Sequence, residues 1–249
     1  MNVDHLTIDS DALGAPVLQL DVSDGIQNLS AVEADYLQTH QPGYVFCRVP
    51  VEDLATTGQL ECHGFRFIEF QLRSELRLKK RYPVTAFPYH YEPVATGDEL
   101  QTVQAIAAET FVDDRWTVDP NINAASSQAR YRHYLEASWQ REDEYLHKLT
   151  NPQTGEIVGF NSARRLDGSR VQLLLAGITT RYKGAGLGTI LNYFVFNDFL
   201  DQGLRRVRTH HSGCNYAILN LELGHFQFRV VQTFVVLRKC YEQPHRGSS

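Results

Sequence analysis

The stretch RYKGAGLG, residues 181–188, follows the apolar run LLLAGI and precedes TILNYFVFNDFLDQG, which has the spacing of an amphipathic helix. Its three glycines are costly in regular structure and usually mark a place where the backbone comes close to another group. Because the first turn of a helix offers unpaired N–H groups and the positive end of its dipole, that group is often a phosphate. The alternative is a glycine-rich turn between a strand and a helix that binds no ligand.

Two common phosphate loops do not fit this stretch. A P-loop requires GxxxxGK[ST], and no glycine in the chain precedes Lys-Ser or Lys-Thr. A Rossmann turn requires GxGxxG after the first strand of its unit and an acidic residue ~20 positions further on. Here the spacing is GxGxG, the stretch lies late in the chain, and no acidic residue is well placed.

The composition is that of an ordinary globular protein. The 249-residue chain is 43% hydrophobic, its formal net charge is −5, and it has no basic stripe, which argues against a nucleic-acid partner. No apolar run approaches the ~20 residues of a membrane helix, and the N-terminus MNVDHLTIDSDALG does not resemble a signal peptide. Four cysteines without a CxxC pair predict free thiols in a reducing cytoplasm, and the scattered histidines suggest no metal site.

The pattern of apolar residues predicts alternating helices and strands. Residues 1–40 are uneven, with at most a short strand at APVLQLDV, and PVTAFPYHYEP predicts a linker near 83–95. Thr96-Gly-Asp-Glu99 has the pattern of a capping box that opens a helix. The main part of the chain then reads as two helices, a hairpin, the strand RVQLLLAGITT, the glycines, a helix, the strand RRVRTHH, a short helix and the last strand, FQFRVVQTFVVLRK.

Two parts of the chain share one pattern. Residues 44–78 read as strand, helix and then FRFIEFQL, whereas residues 205–239 read as strand, helix and then FQFRVVQT. The two parts have little sequence identity. The shared pattern predicts that the first third of the chain is a partial copy of the second half of the main domain.

The glycine stretch resembles the pyrophosphate loop of the GNAT N-acetyltransferases, whose signature is [Q/R]xxGx[G/A] between a strand and a helix. Two registers fit: residues 181–186 match literally, and residues 183–188 match with Lys183 in place of Arg or Gln. The second is preferred because Thr189 then starts the helix at the family's distance and Tyr182 takes the place of its frequent aromatic residue. Since this loop grips pyrophosphate mainly through main-chain N–H groups, a lysine can replace the guanidinium.

The order of elements over residues 95–239 also resembles that of the family. The resemblance implies a mixed α/β chain with the GNAT acyl-CoA N-acyltransferase fold and an N-terminal partial GNAT-like α/β unit. A narrower resemblance, carried by AAETFVDDRWTVDP and the helix RYRHYLEASW, is to dTDP-fucosamine acetyltransferases and related sugar-nucleotide acetyltransferases of bacterial polysaccharide synthesis. The implied domains are the N-terminal unit at 1–82, the linker at 83–95 and the acetyltransferase domain at 96–241.

The resemblance implies acetyl-CoA as the acyl donor. The strand LLLAGITT would part from its neighbour and leave N–H groups around Gly177 and Ile178 free to polarise the thioester carbonyl. The alternative is that this run is simply a buried strand. The implied donor-binding residues are Ala176, Gly177, Ile178, Lys183, Gly184, Ala185, Gly186, Leu187, Gly188, Thr189 and Asn215.

The acid that would protonate the departing thiolate is left open by the sequence. The family often uses a tyrosine in the helix after the next strand, but counting from Asn215 that position is Glu222, and counting back from FQF it is Leu223. Glu222 with a raised pKa, Tyr216 or a water molecule are the candidate acids. The alternative for Glu222 is an ordinary surface carboxylate.

Two histidines close the strand RRVRTHH, near the expected meeting point of amine and thioester. Alternation along a strand lets only one of His210 and His211 face the site. Either is a candidate base, and a structural role is the alternative.

The loop FVDDRWTVDP joins the first two helices, which in the resembling family cover the acceptor. A sugar nucleotide would place its diphosphate on an arginine, its base on a tryptophan and its hydroxyls on aspartates. A capped surface loop is the alternative. The candidate substrate residues are Asp113, Asp114, Arg115 and Trp116, with Asp119 close by.

These observations predict a cytoplasmic, bacterial, acetyl-CoA-dependent N-acetyltransferase. Its expected acceptor is a small molecule with an amino group, by resemblance an amino-deoxy sugar nucleotide. A peptide or another amine is the alternative acceptor, and a GNAT-like module that binds acyl-CoA without turnover is the alternative function. No nucleic acid, membrane or metal is expected, and a homodimer is left open.

Overall fold

The computed structural model describes residues 2–23, 25–26, 28–111 and 115–241. The strands are β1 (Asn2–His5), β2 (Val17–Asp21), β3 (Tyr44–Pro50), β4 (Arg66–Arg77), β5 (His90–Pro93), β6 (Glu144–Thr150), β7 (Ile157–Arg165), β8 (Arg170–Ile178), β9 (Arg206–Ser212) and β10 (Arg229–Cys240). The helices are α1 (Thr7–Leu13), α2 (Leu29–His40), α3 (Leu54–Cys62), α4 (Gly97–Thr110), α5 (Arg115–Val118), α6 (Ala124–Gln140), α7 (Leu187–Asp201) and α8 (Tyr216–Leu219). A π-helical turn, Asn220–His225, continues α8.

The elements predicted from residue 44 onward are present, and the expectation for the first 40 residues was wrong. The first 40 residues, expected to hold at most one short strand, contain β1, α1, β2 and α2. Helix α2 has a weak apolar pattern because it buries only Leu29 and Tyr36. The segment 83–95, predicted to be a linker, contains β5, which pairs only with β6. An edge strand tolerates prolines because one side of its backbone needs no partner.

All ten strands of the described residues form a single sheet in the order β1-β2-β3-β10-β4-β9-β8-β7-β6-β5. The pairs β2–β3 and β8–β9 are parallel, and the other neighbours are antiparallel. FRFIEFQL, in β4, therefore lies inside the sheet, between β10 and β9. The N-terminal and C-terminal halves of the chain share one sheet.

Helices cover both faces of this sheet. Helix α7 packs on one face against the strands β7, β8 and β9, through a cluster that includes Leu191, Phe196, Val171 and Val207. We call this the α7 face. The opposite face is covered by α4 and α6 over β7, and by α1 and α5 over β3 and β10. We call it the α6 face.

The predicted start of α4 is confirmed in detail. Thr96 accepts a hydrogen bond from the N–H of Glu99, and the Glu99 carboxylate accepts one from the N–H of Thr96. This reciprocal pair is the capping box, and it satisfies two N–H groups that the helix itself leaves without partners. Its predicted inward residues, Leu100, Val103, Ile106 and Ala107, are buried. Among the described helices, none combines the length and the apolar content needed to cross a membrane.

Candidate functional site

Strands β8 and β9 part after a short stretch of pairing. Their parallel register runs from Arg170–Arg206 to Gln172–Arg208 and stops there. Strand β8 continues to Ile178 along β7, whereas β9 continues to Ser212 along β4. A register shift between Ser162 and Ala163 places a bulge in β8 where the separation begins. The result is an opening between two central strands of the sheet.

The direction of the backbone groups in this opening follows from strand alternation. The N–H of Thr179 donates to the carbonyl of Val158 on β7. Because N–H groups alternate between the two sides of a strand, the N–H of Gly177 also points towards β7. The N–H groups of Ala176 and Ile178 then point into the opening. Of the two positions that the sequence suggested, Ile178 has the required direction and Gly177 does not.

Gly177 has a steric role instead. A Cβ at this position would lie 2.8 Å from Cε1 of Phe160 and 3.1 Å from Oγ1 of Thr110. The missing side chain lets the end of β8 pack closely under α4. The Thr110 hydroxyl also lies 3.4 Å from the carbonyl of Ile178, to which it donates. These contacts hold β8 against α4 and away from β9.

The glycine stretch forms an open cradle where β8 passes into α7. Gly184 and Gly186 have φ angles of 79° and 77°, and a Cβ on either would meet nothing within 4 Å. Their N–H groups have no acceptor among the described residues. Leu187 then begins a 15-residue helix, whose first turn adds further unpaired N–H groups. Lys183 is exposed beside them, so the arrangement suits an anionic group such as a pyrophosphate.

Comparison with solved structures identifies the fold. A GCN5-related N-acetyltransferase from Sphaerobacter thermophilus matches with a TM-score of 0.67 and 15% identity, over 96% of this chain and 76% of that one. A tandem GNAT protein from the clavulanic acid biosynthesis pathway matches with a TM-score of 0.61 and 15% identity, over 93% and 77%. The chain has the GNAT acetyltransferase fold.

A third structure agrees with this assignment. A GCN5-related N-acetyltransferase from Kribbella flavida matches with a TM-score of 0.59 and 13% identity, over 91% of this chain and 81% of that one. No family model and no curated protein sequence matches the chain. The likeness is therefore one of fold.

Within the GNAT fold, Glu222 and His211 form a buried pair on the α7 face. Their exposed fractions are 7% and 8%, and Nδ1 of His211 lies 3.2 Å from Oε2 of Glu222. The two groups are not aligned for a hydrogen bond, and neither ring nitrogen of His211 has another hydrogen-bond partner among the described residues. Glu222 is therefore not an ordinary surface carboxylate, which was the alternative that the sequence left open.

Burial decides where the proton of this pair resides. It raises the pKa of Glu222 to about 8 and lowers the pKa of His211 to about 4. Near neutral pH the carboxyl is therefore protonated and the imidazole is neutral, so the pair is not an ion pair. A neutral carboxyl group is a proton donor, and it lies in the turn after α8, where the resemblance placed the acid.

His210 faces the opposite side of the sheet, as strand alternation requires. Its direct neighbour across the β4–β9 pairing is Arg73, and Arg208 lies two residues back on the same side. Burial, followed by the charges of Arg48, Arg73 and Arg208, lowers the pKa of His210 to about 4. The imidazole is neutral at physiological pH and able to accept a proton.

Two other predicted residues have clear structural positions. The Asn215 side chain accepts a hydrogen bond from the N–H of Ile218 and so caps α8. Tyr216, the first residue of that helix, is 69% exposed. Glu222, in contrast, is buried beside His211.

The predicted acceptor loop is described only in part. Asp113 and Asp114 lie outside the described residues. Arg115 is 5% exposed, with its guanidinium 4.3 Å from the centre of the Phe46 ring. Trp116 is 1% exposed and stacks on Tyr44 with ring centres 5.5 Å apart. The Trp116 ring thus packs in the core, which agrees neither with a ring that stacks on a ligand base nor with the alternative of a surface loop.

Asp119 is also engaged within the protein. It accepts hydrogen bonds from the hydroxyl of Tyr44 and from the guanidinium of Arg238. It therefore ties the segment after α5 to β3 and β10. Among the described residues, no cluster of three or more histidine, cysteine, aspartate or glutamate side chains could hold a metal ion.

Sequence reasoning missed polar residues that β3 and β4 contribute to the α6 face. Arg48 donates from Nε to Gln71 and from Nη1 to Gln19. Arg73 lies beside them on β4, across from His210. One signal was available: Arg48 interrupts the apolar strand YVFCRVP, and an arginine in a buried strand has a partner or a function.

Proposed function

We propose that the chain transfers an acetyl group from acetyl-CoA to the amine of a small acceptor. The observation that carries this proposal is the parting of β8 from β9 directly before an open glycine cradle at the start of α7. An extended thiol-bearing chain fits the opening, and its phosphates fit the cradle. Both features would have to be accidental if the chain bound no such ligand.

Two parts of the chain would hold the donor. The N–H groups of Ala176 and Ile178 point into the opening, where they can bind the amide groups of the pantetheine arm or the thioester carbonyl. The cradle, residues 183–189, would bind the pyrophosphate through main-chain N–H groups and the Lys183 ammonium. The cap at Asn215 would border the thiol end. The role of each of these residues is part of the proposal.

The acceptor chemistry needs a base and an acid. The amine nitrogen attacks the thioester carbon, the carbon–sulfur bond breaks, and the proton lost by the amine is taken up by His210 or by a water molecule. Glu222 returns a proton to the departing thiolate. General acid or base assistance of this kind contributes roughly 10²–10⁴-fold in rate. The two groups lie on opposite faces of β9, so they can act on opposite sides of the reacting carbon.

The acceptor implied by the resemblance is an amino-deoxy sugar nucleotide. Its support is limited to the segment AAETFVDDRWTVDP and the following helix. Peptides and other small amines are the alternative acceptors. Binding of acyl-CoA without turnover is the alternative function, and it is favoured by the absence of a tyrosine at the position of the acid.

We retain the remaining sequence predictions as part of the proposal. They are the division into an N-terminal unit at 1–82, a linker at 83–95 and an acetyltransferase domain at 96–241, with cytoplasmic location and assembly as a homodimer left to experiment. The pairing of β4 with both β10 and β9 supports a unit that is integral to the fold.

The decisive experiment is a thiol-release assay with acetyl-CoA and a panel of acceptors, namely amino-sugar nucleotides, polyamines, amino acids and peptides. We expect release that depends on one acceptor class, with the acetylated amine identified by mass spectrometry. Calorimetry with acetyl-CoA is run alongside. Tight binding without release for any acceptor would support the non-catalytic alternative, and absence of binding would refute the proposal.

A further inference from the structure

The α6 face holds a half-buried arginine, Arg48, whose hydrogen bonds within the described residues go to neutral groups. Nε of Arg48 donates to Oε1 of Gln71 at 2.6 Å, and its Nη1 donates to Oε1 of Gln19 at 2.7 Å. These bonds fix the guanidinium plane across three strands, β2, β3 and β4. They do not balance its charge, because both acceptors are amides. Burial, and then the charge of Arg115, lowers the pKa of Arg48 to about 9.

Arg73 is a second guanidinium on the same face, and no ion pair joins it to another described residue. Its central carbon lies 5.9 Å from the centre of the Phe234 ring, and its buried Nε has no hydrogen-bond acceptor among the described residues. A buried N–H group without an acceptor costs free energy, so it is rare in native proteins. Such a group is explained if a ligand supplies the acceptor.

The neighbouring carboxylates already form ion pairs with other arginines. The nearby ion pairs are Arg208 with Glu75 at 2.9 Å, Arg115 with Glu69 at 3.7 Å, and Arg130 with Asp9 at 2.5 Å. Glu69 also lies close enough to act on the charge of Arg48. The single negative charge of Glu69 is therefore close to two guanidinium groups, those of Arg115 and Arg48. Within the described part of the chain, the positive charge of this face exceeds the negative charge.

These guanidinium groups lie next to the proposed site of acetyl transfer. Arg73 is directly opposite His210 in the β4–β9 register, and neighbouring strands are about 5 Å apart. His210 is two residues beyond Arg208, where β9 leaves β8. A molecule with its amine at His210 therefore needs only a few bonds to reach Arg73.

We propose that Arg48 and Arg73 bind an anionic group, a carboxylate or a phosphate, of the acceptor whose amine faces His210. This inference rests on the proposed function, because it takes the acceptor amine as given. A guanidinium presents parallel N–H donors that match two oxygens of a carboxylate or phosphate, and such bonds are among the stronger ones in proteins. The acceptor is thus a small amine with a negative charge a few bonds from its nitrogen.

The first test measures anion binding without acetyl-CoA. The unfolding temperature is followed against the concentration of acetate or of inorganic phosphate, with sodium chloride at matched ionic strength as reference. We expect a saturable rise for the wild-type protein with at least one of the two anions. Arg73→Gln should weaken this binding at least tenfold, since one charge-assisted pair is lost. Arg77→Gln is the control, because Arg77 is an exposed arginine on the same strand and should change nothing.

The second test compares matched acceptors in the thiol-release assay. One pair is 3-aminopropanoate with propylamine, and the other is 2-aminoethyl phosphate with ethanolamine. The pair with the larger difference in KM shows whether the site prefers a carboxylate or a phosphate. We expect the anionic member to have a KM at least tenfold lower, and Arg73→Gln to remove this advantage with kcat changed much less. Arg73→Lys keeps the positive charge and should retain part of the KM advantage of the anionic acceptor. This variant provides the test if Arg73→Gln is poorly folded.

The outcomes separate the two proposals. No saturable stabilisation by either anion, or wild-type anion affinity in Arg73→Gln, would overturn the anion site. Equal KM values for charged and neutral amines would overturn it as well and leave the acetyltransferase intact. Anion binding that depends on Arg73, with no amine acetylated, would leave the site standing and refute the proposed function.

Discussion

The proton on Glu222 is set by burial. Glu222 is 7% exposed, its Oε2 lies 3.2 Å from Nδ1 of the neutral His211 imidazole, and this oxygen has no hydrogen-bond partner among the described residues, so burial disfavours its charged form. A pKa of about 8 lies close to that of a thiol, which in water is about 8.5. Proton transfer between groups of similar pKa is close to thermoneutral and can run in either direction, which would suit the proposed donor because it must be reloaded in every cycle.

Replacement of Glu222 by Gln tests this role. The change keeps the size of the side chain and removes its acidic proton, so turnover should fall ~10²-fold or more with little change in acetyl-CoA affinity. The wild-type rate should decline above about pH 8, where Glu222 loses its proton, and the variant should lack this decline. Glu61→Gln, at an exposed site on α3, is the control. Wild-type turnover in Glu222→Gln would leave Tyr216, His210 and His211 as the candidates.

The same group should make stability depend on pH. The folded-state pKa of Glu222 is raised from 4.5 to about 8, so its contribution is fully present below pH 4.5 and is lost as pH rises towards 8. The pKa values of His210 and His211 are lowered from 6.5 to about 4, so their contribution is lost as pH falls from 6.5 towards 4. Between pH 6.5 and 8, Glu222 is therefore the one group of these three whose contribution to stability still changes with pH.

Urea unfolding across that range isolates the effect of Glu222. We expect the unfolding free energy of the wild type to fall by up to about 1.4 kcal/mol per pH unit relative to Glu222→Gln. Parallel curves for the two proteins would show that Glu222 is ionised in the folded state. The proposed acid would then have no proton to give at neutral pH.

At the scale of elements, the glycine loop was accessible from the sequence because it depends on a local pattern, whereas the parting of β8 was only implied by the family resemblance. Glycines at 184 and 186 signal left-handed backbone whatever the rest of the fold does. The burial of Glu222 was not accessible, since it depends on how the turn after α8 packs against β9. The grouping of Arg48 with Arg73 depends on strand order, because β3 and β4 are separated in the sheet by β10.

The loop prediction is tested by Gly186→Asp. A Cβ there meets no protein atom within 4 Å, so the fold should persist with the modest strain of a left-handed residue, of order 1 kcal/mol. The added side chain and negative charge enter the pyrophosphate cradle, and acetyl-CoA binding should be lost in calorimetry. Gly203→Asp is the matched control: its φ is 81°, its Cβ also meets nothing, and it follows the other end of α7. Unchanged affinity in Gly186→Asp would end the acyl-CoA proposal.

At the scale of the whole molecule, the two similar units pair reciprocally. The first strand of each unit lies beside the last strand of the other: β3 beside β10, and β9 beside β4. The two last strands, β4 and β10, pair with each other, and each carries one skipped residue, Ile68 and Val231. If the skipped residues Ile68 and Val231 are aligned, Arg73 corresponds to Val236 and Glu69 corresponds to Gln232. Exchanging the two units therefore converts the cross-strand pair Gln232–Arg73 into the pair Glu69–Val236, and both pairs are present. This two-fold pattern supports our proposal that the N-terminal unit is a partial copy of the C-terminal one.

In its described residues, the N-terminal unit has no equivalent of the proposed donor site. Strands β2 and β3 pair in parallel along Val17 to Leu20, as β8 and β9 do at their start, but β2 ends at Asp21. It therefore has no counterpart to the part of β8 that leaves its neighbour. The following segment, residues 22–28, contains only one glycine. The N-terminal unit should act through the sheet it completes.

Deletion of residues 1–82 should therefore break the fold. It removes β4 from between β10 and β9 and exposes the backbone edges of both, which invites aggregation. It also removes Tyr82, whose backbone exchanges two hydrogen bonds with the Asn197 side chain on α7. Light scattering should show aggregates for the truncated chain, and co-expression of residues 1–82 with residues 83–249 should restore a soluble complex that binds acetyl-CoA. A truncated chain that is monomeric, soluble and fully active would show instead that the N-terminal unit is an appendage.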